Sequence, residues 1–145
     1  MNEVYRKIPH RPPFLFVDEI IERNEDSITT RRVLREDEAH FEGHYPGNPI
    51  MPGVLLCEAV FQAGAILLAN HAGGEPGDRT PVLTRIRDAR FKNIARPGDE
   101  LTIRATLMET LGQFRFLRGS ITAGDRKIMT VEFGLALIEE NRSSS

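Results

Sequence analysis

The sequence predicts an α+β domain in which an antiparallel sheet of five to six strands wraps around one long central helix. The segment Val54–Ala69 is helical in character and apolar on nearly all sides, as expected for a helix enclosed by other structure. Several other segments alternate apolar and polar residues between turn signals, which is typical of half-buried antiparallel strands. A sheet that covers a single buried helix is the simplest packing of these pieces.

Each predicted element is delimited by turn or capping residues. The helix runs from Val54 to about His71, with Pro52 suited to its first turn and the Gly73–Gly74 pair supplying a stop. The polar and then Gly/Pro-rich segment before it is expected to be a structured loop with one short helical turn. The predicted strands are Phe14–Glu22, Ser27–Leu34, Val82–Asn93, Glu100–Leu111, Gln113–Ala123 and Arg126–Glu139.

Composition narrows the classes of protein. The length of 145 residues suggests one domain, residues 1–145, with a frayed tail at about 141–145. The net charge of -2 gives no general attraction to nucleic acid or to a membrane. The single cysteine, Cys57, excludes an intrachain disulfide, and no ligand cluster for a metal is evident, which favours a reducing cytoplasm. We also find no signal peptide and no apolar run long enough to span a bilayer.

Glu58 is a carboxylate inside the apolar helical segment. Burial of an ionised carboxylate is unfavourable, and a carboxyl group kept in its protonated form is able to act as a general acid. Gln62 lies four residues further along the same helix face, where its amide is placed to orient the carboxyl group. The alternative is a structural carboxylate that caps a loop or pairs with an arginine.

His44 and Gly53 flank a stiff, proline-rich segment that leads into the helix. Imidazole is a usable base near neutral pH, and a rigid backbone would hold it in place. Gly53 begins the helix, where unpaired N–H groups point outward, so its amide could polarise a carbonyl oxygen. The removal of water from a 3-hydroxyacyl group requires a base, an acid and a group that polarises the carbonyl oxygen. The alternative for His44 alone is a solvated loop residue.

The segment GHYPGNPIMPGVLLCEAVFQAG, Gly43–Gly64, resembles the signature of the (3R)-hydroxyacyl-acyl-carrier-protein dehydratases of bacterial type II fatty-acid synthesis, in the hotdog superfamily. The resemblance continues in Ile8–Ile20 and in Asp88–Leu101, so it spans nearly the whole chain in order. It implies the hotdog fold and a cofactor-free dehydration of a 3-hydroxyacyl chain, carried on acyl carrier protein, to the trans-2-enoyl thioester.

The resemblance also implies a role for each matching residue. His44 matches the catalytic base, Glu58 the catalytic acid, Gly53 the amide that binds the thioester carbonyl, and Gln62 the glutamine beside the acid. Phe61 stands where a small alanine is common, so we expect it to narrow the acyl tunnel or to reshape the dimer contact. The family forms dimers whose sites take the histidine from one subunit and the acid from the other. We therefore expect a homodimer with shared active sites, with a trimer of dimers left open.

A basic run provides candidate contacts for the acidic carrier protein. Within TRIRDARFKNIAR a single acid, Asp88, accompanies five basic residues, Arg85, Arg87, Arg90, Lys92 and Arg96. We predict carrier docking at Arg85, Arg87, Lys92 and Arg96, since opposite potentials steer association. Strict alternation would separate Arg85 and Arg87 from Arg90 and Lys92, so a single patch would require a twist or a bulge. The alternative is an ordinary solvated strand face.

Other readings remain open at this level. His10 is interpreted as structural, His40 as a loop histidine and Cys57 as a small buried residue. A hotdog acyl thioesterase would use the same carboxylate to direct water at the carbonyl carbon. A non-catalytic module that binds acyl carrier protein would share the fold and leave a 3-hydroxyacyl substrate unchanged.

Overall fold

The computed structural model describes residues 2–12, 14–38, 40–43, 50–69 and 79–139. Three helices and six strands follow one another along this part of the chain. They are α1 (Asn2–Lys7), β1 (Glu19–Arg23), β2 (Ser27–Val33), α2 (His40–Gly43), α3 (Gly53–Leu68), β3 (Arg79–Phe91), β4 (Glu100–Leu111), β5 (Phe114–Ala123) and β6 (Arg126–Glu139).

The six strands form one sheet in the order β1-β2-β4-β5-β6-β3, and every neighbouring pair is antiparallel. The pairs β4–β5 and β5–β6 are joined by two-residue turns in which Gly112 and Gly124 adopt positive φ angles of 61° and 60°. Glycine meets no steric penalty there, which makes it the usual residue in such hairpin turns. The predicted sheet around one long helix is confirmed.

Helix α3 is covered along most of its length by one face of the sheet. It follows Pro52 and runs for 16 residues, twelve of which are buried. Gly119 of β5 permits the close approach, because a Cβ atom at that position would overlap Cγ1 of Val60. None of the described helices is both long enough and apolar enough to cross a membrane.

The first predicted strand was placed too early. We predicted a strand from Phe14, whereas β1 begins at Glu19. The backbone N–H of Phe16 and the carbonyl of Phe14 are instead hydrogen-bonded to the side chain of Gln62 on α3. A backbone that bonds to a side chain cannot also use those groups in a strand ladder. The short helix α1 was not predicted, and the expected end of the central helix near His71 lies outside the described residues.

Strand β3 forms one edge of the sheet and presents apolar side chains that nothing in the described chain covers. Leu83 pairs in register with Leu135, and Ile86 pairs with Phe133, which packs on α3, so both lie on the helix side of the sheet. Even so, Leu83 is 39% exposed and Ile86 is 52% exposed. A long edge strand with exposed apolar residues is a surface suited to pairing with another strand.

Candidate active site

Gln62 fixes the position of the Glu58 carboxyl group. Its amide oxygen accepts a hydrogen bond from the N–H of Phe16 at 2.8 Å, and its amide nitrogen donates to the carbonyl of Phe14 at 2.9 Å. These two backbone partners set which end of the amide faces Glu58. The nitrogen therefore also donates to Oε2 of Glu58, at 3.1 Å. The prediction that Gln62 orients the acid agrees with this contact.

Glu58 and Gln62 lie at the edge of a cavity of about 280 Å³. The polar residues at this cavity are His10, Glu58 and Gln62, and its apolar wall includes Phe61, Leu83 and Leu135. The Glu58 side chain is 23% exposed, so it is less enclosed than its apolar sequence context suggests. The Phe61 ring is buried and packs against Phe133 with 5.0 Å between ring centroids. One carboxyl group thus meets a small space that has both an apolar wall and polar lining residues.

His10 belongs to this site, which the sequence interpretation missed. Its Nε2 atom lies 3.6 Å from Oε2 of Glu58, and its ring lines the same cavity. The sequence favours a structural role for this histidine because its resemblance to the family's N-terminal segment is only positional. The only available signal was its place in the segment Ile8–Ile20, which takes part in the family resemblance.

The remaining predicted residues of the catalytic mechanism are His44 and Gly53. His44 lies outside the described residues. Gly53 is the first residue of α3, as predicted, so its N–H has no acceptor within the helix. It does not line the Glu58 cavity, however, and a Cβ atom at Gly53 would instead lie 3.2 Å from the ring of Phe91 on β3. Glu58 and Gly53 therefore face different surroundings within one chain.

A β-bulge brings Arg90 onto the face of β3 that carries the predicted docking residues Arg85 and Arg87. Arg85, Arg87 and Arg90 pair with Gly134, Glu132 and Thr130, which are alternate residues of β6, so all three face away from α3. The register shifts between Arg87 and Arg90, where Asp88 has a φ angle of 55°. Alternation alone had placed Arg90 on the opposite face, and the bulge supplies the change of face.

The remaining predicted docking residues follow the bulge. Lys92 and Arg96 are both exposed, Lys92 just after β3 and Arg96 in the turn before β4. Arg85 lies over the ring of Phe116 with 5.7 Å between the guanidinium carbon and the ring centroid. The described contacts of this surface include an ion pair between Arg90 and Asp88, with 2.9 Å between Nε and Oδ1. The face therefore combines basic side chains with an aromatic ring.

A second acid–base cluster lies at the start of the loop that leads to α3. Arg32 is buried, and its guanidinium binds Oδ1 of Asp18 at 3.0 Å and Oε1 of Glu38. Oε2 of Glu38 accepts a hydrogen bond from the N–H of Arg35 at 2.6 Å. Nε2 of His40 lies 3.9 Å from Oε1 of Glu38. Within the described residues no group of three or more potential ligands is placed to hold a metal ion.

Cys57 precedes Glu58 on α3 and is buried. Burial raises the pKa of the Cys57 thiol above its usual value, and the adjacent Glu58 carboxylate raises that pKa further. Both effects favour the protonated thiol, whereas a nucleophilic cysteine requires the thiolate. The interpretation of Cys57 as a small buried residue agrees with these surroundings.

Solved structures define the fold to which this chain belongs. The chain is similar to a chain of the dehydratase heterocomplex ApeI:P from Xenorhabdus doucetiae, with a TM-score of 0.78 and 18% identity, over 97% of this chain and 92% of the other. It is also similar to a hypothetical thioesterase from Streptococcus pneumoniae TIGR4, solved with coenzyme A. There the TM-score is 0.65 and the identity 14%, over 85% of this chain and 87% of the other. At these identities the likeness establishes the fold, which is the predicted hotdog fold.

Sequence comparison identifies the family within this fold. The model of the FabA-like domain matches residues 8–132. The chain is 34% identical over 138 residues to the 3-hydroxyacyl-[acyl-carrier-protein] dehydratase FabZ of Caulobacter vibrioides NA1000, covering 94% of this chain and 87% of that protein. It is 38% identical over 128 residues to FabZ of Clostridium perfringens SM101, covering 88% and 90%. The chain therefore belongs to the FabA-like dehydratase family, and the resemblance noted in the sequence is confirmed.

Proposed function

We propose that this protein dehydrates (3R)-hydroxyacyl chains carried on acyl carrier protein to trans-2-enoyl chains. The observation that carries the proposal is the Glu58 carboxyl group, which Gln62 holds at 3.1 Å in a cavity with an apolar wall. Such a cavity suits an acyl chain, and a carboxyl group at its edge can reach the 3-hydroxyl group. The FabZ relatives, which are named as dehydratases of this substrate, support the same chemistry.

The reaction needs a base and an acid on either side of the substrate. In the proposed mechanism His44 removes the proton on C2. The electron pair of the broken C2–H bond forms the C2=C3 double bond as the C3–O bond breaks. Glu58 donates its proton to the departing hydroxyl group, which leaves as water. The N–H of Gly53 stabilises the negative charge that develops on the thioester oxygen. Transfer of the proton from His44 back to Glu58 through solvent restores the starting state without a cofactor.

Spectroscopy distinguishes this reaction from those of the two alternative functions. The enoyl product of dehydration adds absorbance from its conjugated thioester, whereas a thioesterase would release a free thiol. A binding module would retain the acyl carrier protein and leave its substrate unchanged. We expect enoyl absorbance without thiol release from 3-hydroxyacyl-carrier substrates. Thiol release without enoyl formation, or binding without either, would contradict the proposal.

The proposal includes a homodimer with shared sites. Strand β3 offers an edge with exposed apolar residues, including Ile86 and Phe91, which is suited to two-fold pairing with a second copy. Gly53 lies against Phe91 at that edge, whereas Glu58 lines a separate cavity that includes Leu83 of the same strand. Two-fold pairing at β3 would bring the Gly53 end of one subunit toward the Glu58 cavity of the other.

Mixing two inactive variants tests the shared site. His44→Ala and Glu58→Gln subunits are unfolded and refolded together in equal amounts. About half of randomly paired dimers are then mixed, each with one intact site, so activity should return to about a quarter of wild type. Subunit exchange that is confirmed by mass spectrometry but restores no activity would contradict shared sites and would leave the dehydratase assignment intact.

Docking of the carrier protein is assigned to the basic face of β3 and the residues that follow it. Arg85 and Arg87 project from the same face because they pair with alternate residues of β6. Reversal of both charges, Arg85→Glu with Arg87→Glu, should raise KM for carrier-linked substrate about tenfold and leave small pantetheine thioesters unaffected. An equal loss on both kinds of substrate would contradict docking at this face. A cytoplasmic location accords with this carrier-linked chemistry and is part of the proposal.

A further inference from the structure

The segment that carries His10 is held by local hydrogen bonds and by a side chain of α3. Nη1 of Arg11 donates to the carbonyl oxygens of Ile8 at 2.9 Å and of His10 at 2.7 Å, which fixes the backbone locally. Downstream, the carbonyl oxygen of Phe14 accepts a hydrogen bond from Gln62 on α3. The backbone at His10 is therefore held locally by Arg11 and is linked to α3 through Phe14.

The imidazole of His10 faces the same carboxyl oxygen that Gln62 holds. Its Nε2 lies 3.6 Å from Oε2 of Glu58, and its ring stacks near that of Phe14 with 6.3 Å between centroids. A shift of about 0.5 Å would bring Nε2 within ordinary hydrogen-bond distance of Oε2. Such a shift is within the motion of side chains at a partly exposed site.

The other ring nitrogen of His10 indicates which tautomer is present. Nδ1 is buried and has no hydrogen-bond partner among the described residues. A buried N–H without an acceptor is among the rarest features of folded proteins, whereas an acceptor that lacks a donor is tolerated more often. The neutral ring is therefore expected to carry its hydrogen on Nε2, the atom that faces Glu58.

We infer that His10 is a positioning residue for Glu58: its Nε2–H, together with the Gln62 amide, marks Oε2 as the acceptor oxygen and leaves Oε1 to carry the proton donated to the substrate hydroxyl. The inference rests on the proposed dehydration and adds to it the choice of oxygen. A carboxyl group has one carbonyl-like and one hydroxyl-like oxygen when protonated. Two donors on Oε2 favour the form in which the transferable proton sits on Oε1.

Two replacements of His10 distinguish the effect of its hydrogen-bond donor from the effect of its planar ring. His10→Phe keeps a planar ring without a donor, and His10→Gln keeps an N–H donor at a similar reach from the backbone. We expect His10→Phe to lower kcat about tenfold with KM within about twofold of wild type, the size of one hydrogen bond used in the transition state. His10→Gln should recover most of that loss. Equal losses in the two variants, or full activity of His10→Phe, would overturn the inference.

A double-mutant comparison tests whether His10 acts through Glu58. In the Glu58→Gln background, the further change His10→Phe should alter the residual kcat by less than about twofold, because coupled residues are not additive. An undiminished tenfold loss in that background would show that His10 acts elsewhere and would overturn the inference.

A measurement on the unaltered protein does not depend on activity. Nitrogen-15 NMR of histidine-labelled protein at pH 8 reports which ring nitrogen carries the hydrogen, and the His10 signals are those absent from His10→Gln. The Nε2–H tautomer is expected, and an Nδ1–H tautomer would overturn the inference. If the protein dehydrates no 3-hydroxyacyl thioester while this tautomer is found, the proposed function fails separately from the position of His10.

Discussion

Two glutamates, Glu58 on α3 and Glu38 in the loop before it, both lie near a histidine, but the fold surrounds them differently. Glu38 is 8% exposed, and its two oxygens are bound by the Arg32 guanidinium and by the N–H of Arg35. The Glu58 side chain is 23% exposed, and its described partners are the Gln62 amide and His10, neither of which carries a fixed positive charge. A carboxylate saturated by a cation and an amide stabilises structure, whereas one beside a cavity whose partners carry no fixed charge remains available for proton transfer.

The largest expected effect is the loss of activity on replacement of Glu58, which distinguishes it from Glu38. Glu58→Gln should lower kcat by about 10²- to 10⁴-fold, the usual contribution of a general acid, because an amide of the same volume cannot donate a proton in this way. The free energy of unfolding should stay within about 1 kcal/mol of wild type, since the introduced amide can still hydrogen-bond Gln62. Steady-state dehydration and urea unfolding measure the two quantities. Turnover above about a third of wild type would remove Glu58 from the mechanism.

The matched change at the other acid should act on stability instead. Glu38→Gln leaves the buried Arg32 guanidinium with Asp18 as its remaining carboxylate partner among the described contacts. Removal of one member of a buried ion pair costs about 3–5 kcal/mol, and we expect a value near the lower end because Asp18 remains. Urea unfolding measures the loss, and kcat per folded molecule should change by less than about threefold. A loss below about 1 kcal/mol would show that the Glu38 contact contributes little.

The surroundings of the two glutamates also differ in the cavity that Glu58 lines. Phe61→Ala removes a ring from the cavity wall and should favour longer acyl chains, raising the ratio of kcat/KM for longer over shorter substrates about tenfold. Phe61→Leu is the matched control, which keeps most of the volume and should shift the ratio less. Mass spectrometry of products from acyl-carrier substrates of graded length measures the preference. An unchanged ratio in Phe61→Ala would mean that the acyl chain does not reach Phe61.

The smallest expected effect concerns Cys57, whose pKa is raised above 9.0 by burial and then by Glu58. Below the pKa of the unfolded thiol, both states are neutral and the stabilising contribution is complete. As the pH rises above about 9, the unfolded chain ionises first, so stability falls until the folded thiol also ionises. The loss is at most about 1.4 kcal/mol per pH unit. Urea unfolding of wild type and Cys57→Ala between pH 7 and 10 should diverge in this window, and a constant difference would contradict the prediction.

Local sequence patterns were sufficient to predict a large part of this protein. The alternation of apolar and polar residues, together with the turn residues, predicted the hairpins from β4 to β6. Consecutive residues of a strand face opposite sides of the sheet, so this pattern is visible in the local sequence. The continuous apolar character of α3 predicted a helix enclosed by the sheet. The spacing of Glu58 and Gln62 placed both on one helix face, so their hydrogen bond could be anticipated. The long motif Gly43–Gly64 then indicated the family, because it extends over more than one secondary-structure element.

Contacts between segments that are distant in the chain could be read only from the folded molecule. Gln62 bonds to the backbone of Phe16, 46 residues away, which removed the start of the predicted first strand from the sheet. His10 meets Glu58 because that same segment is fastened across α3. The bulge after Arg87 turned Arg90 to the basic face, although regular alternation had separated them. Each outcome depends on strand register and on which backbone groups find partners, and these are set by the whole packed sheet rather than by neighbouring residues.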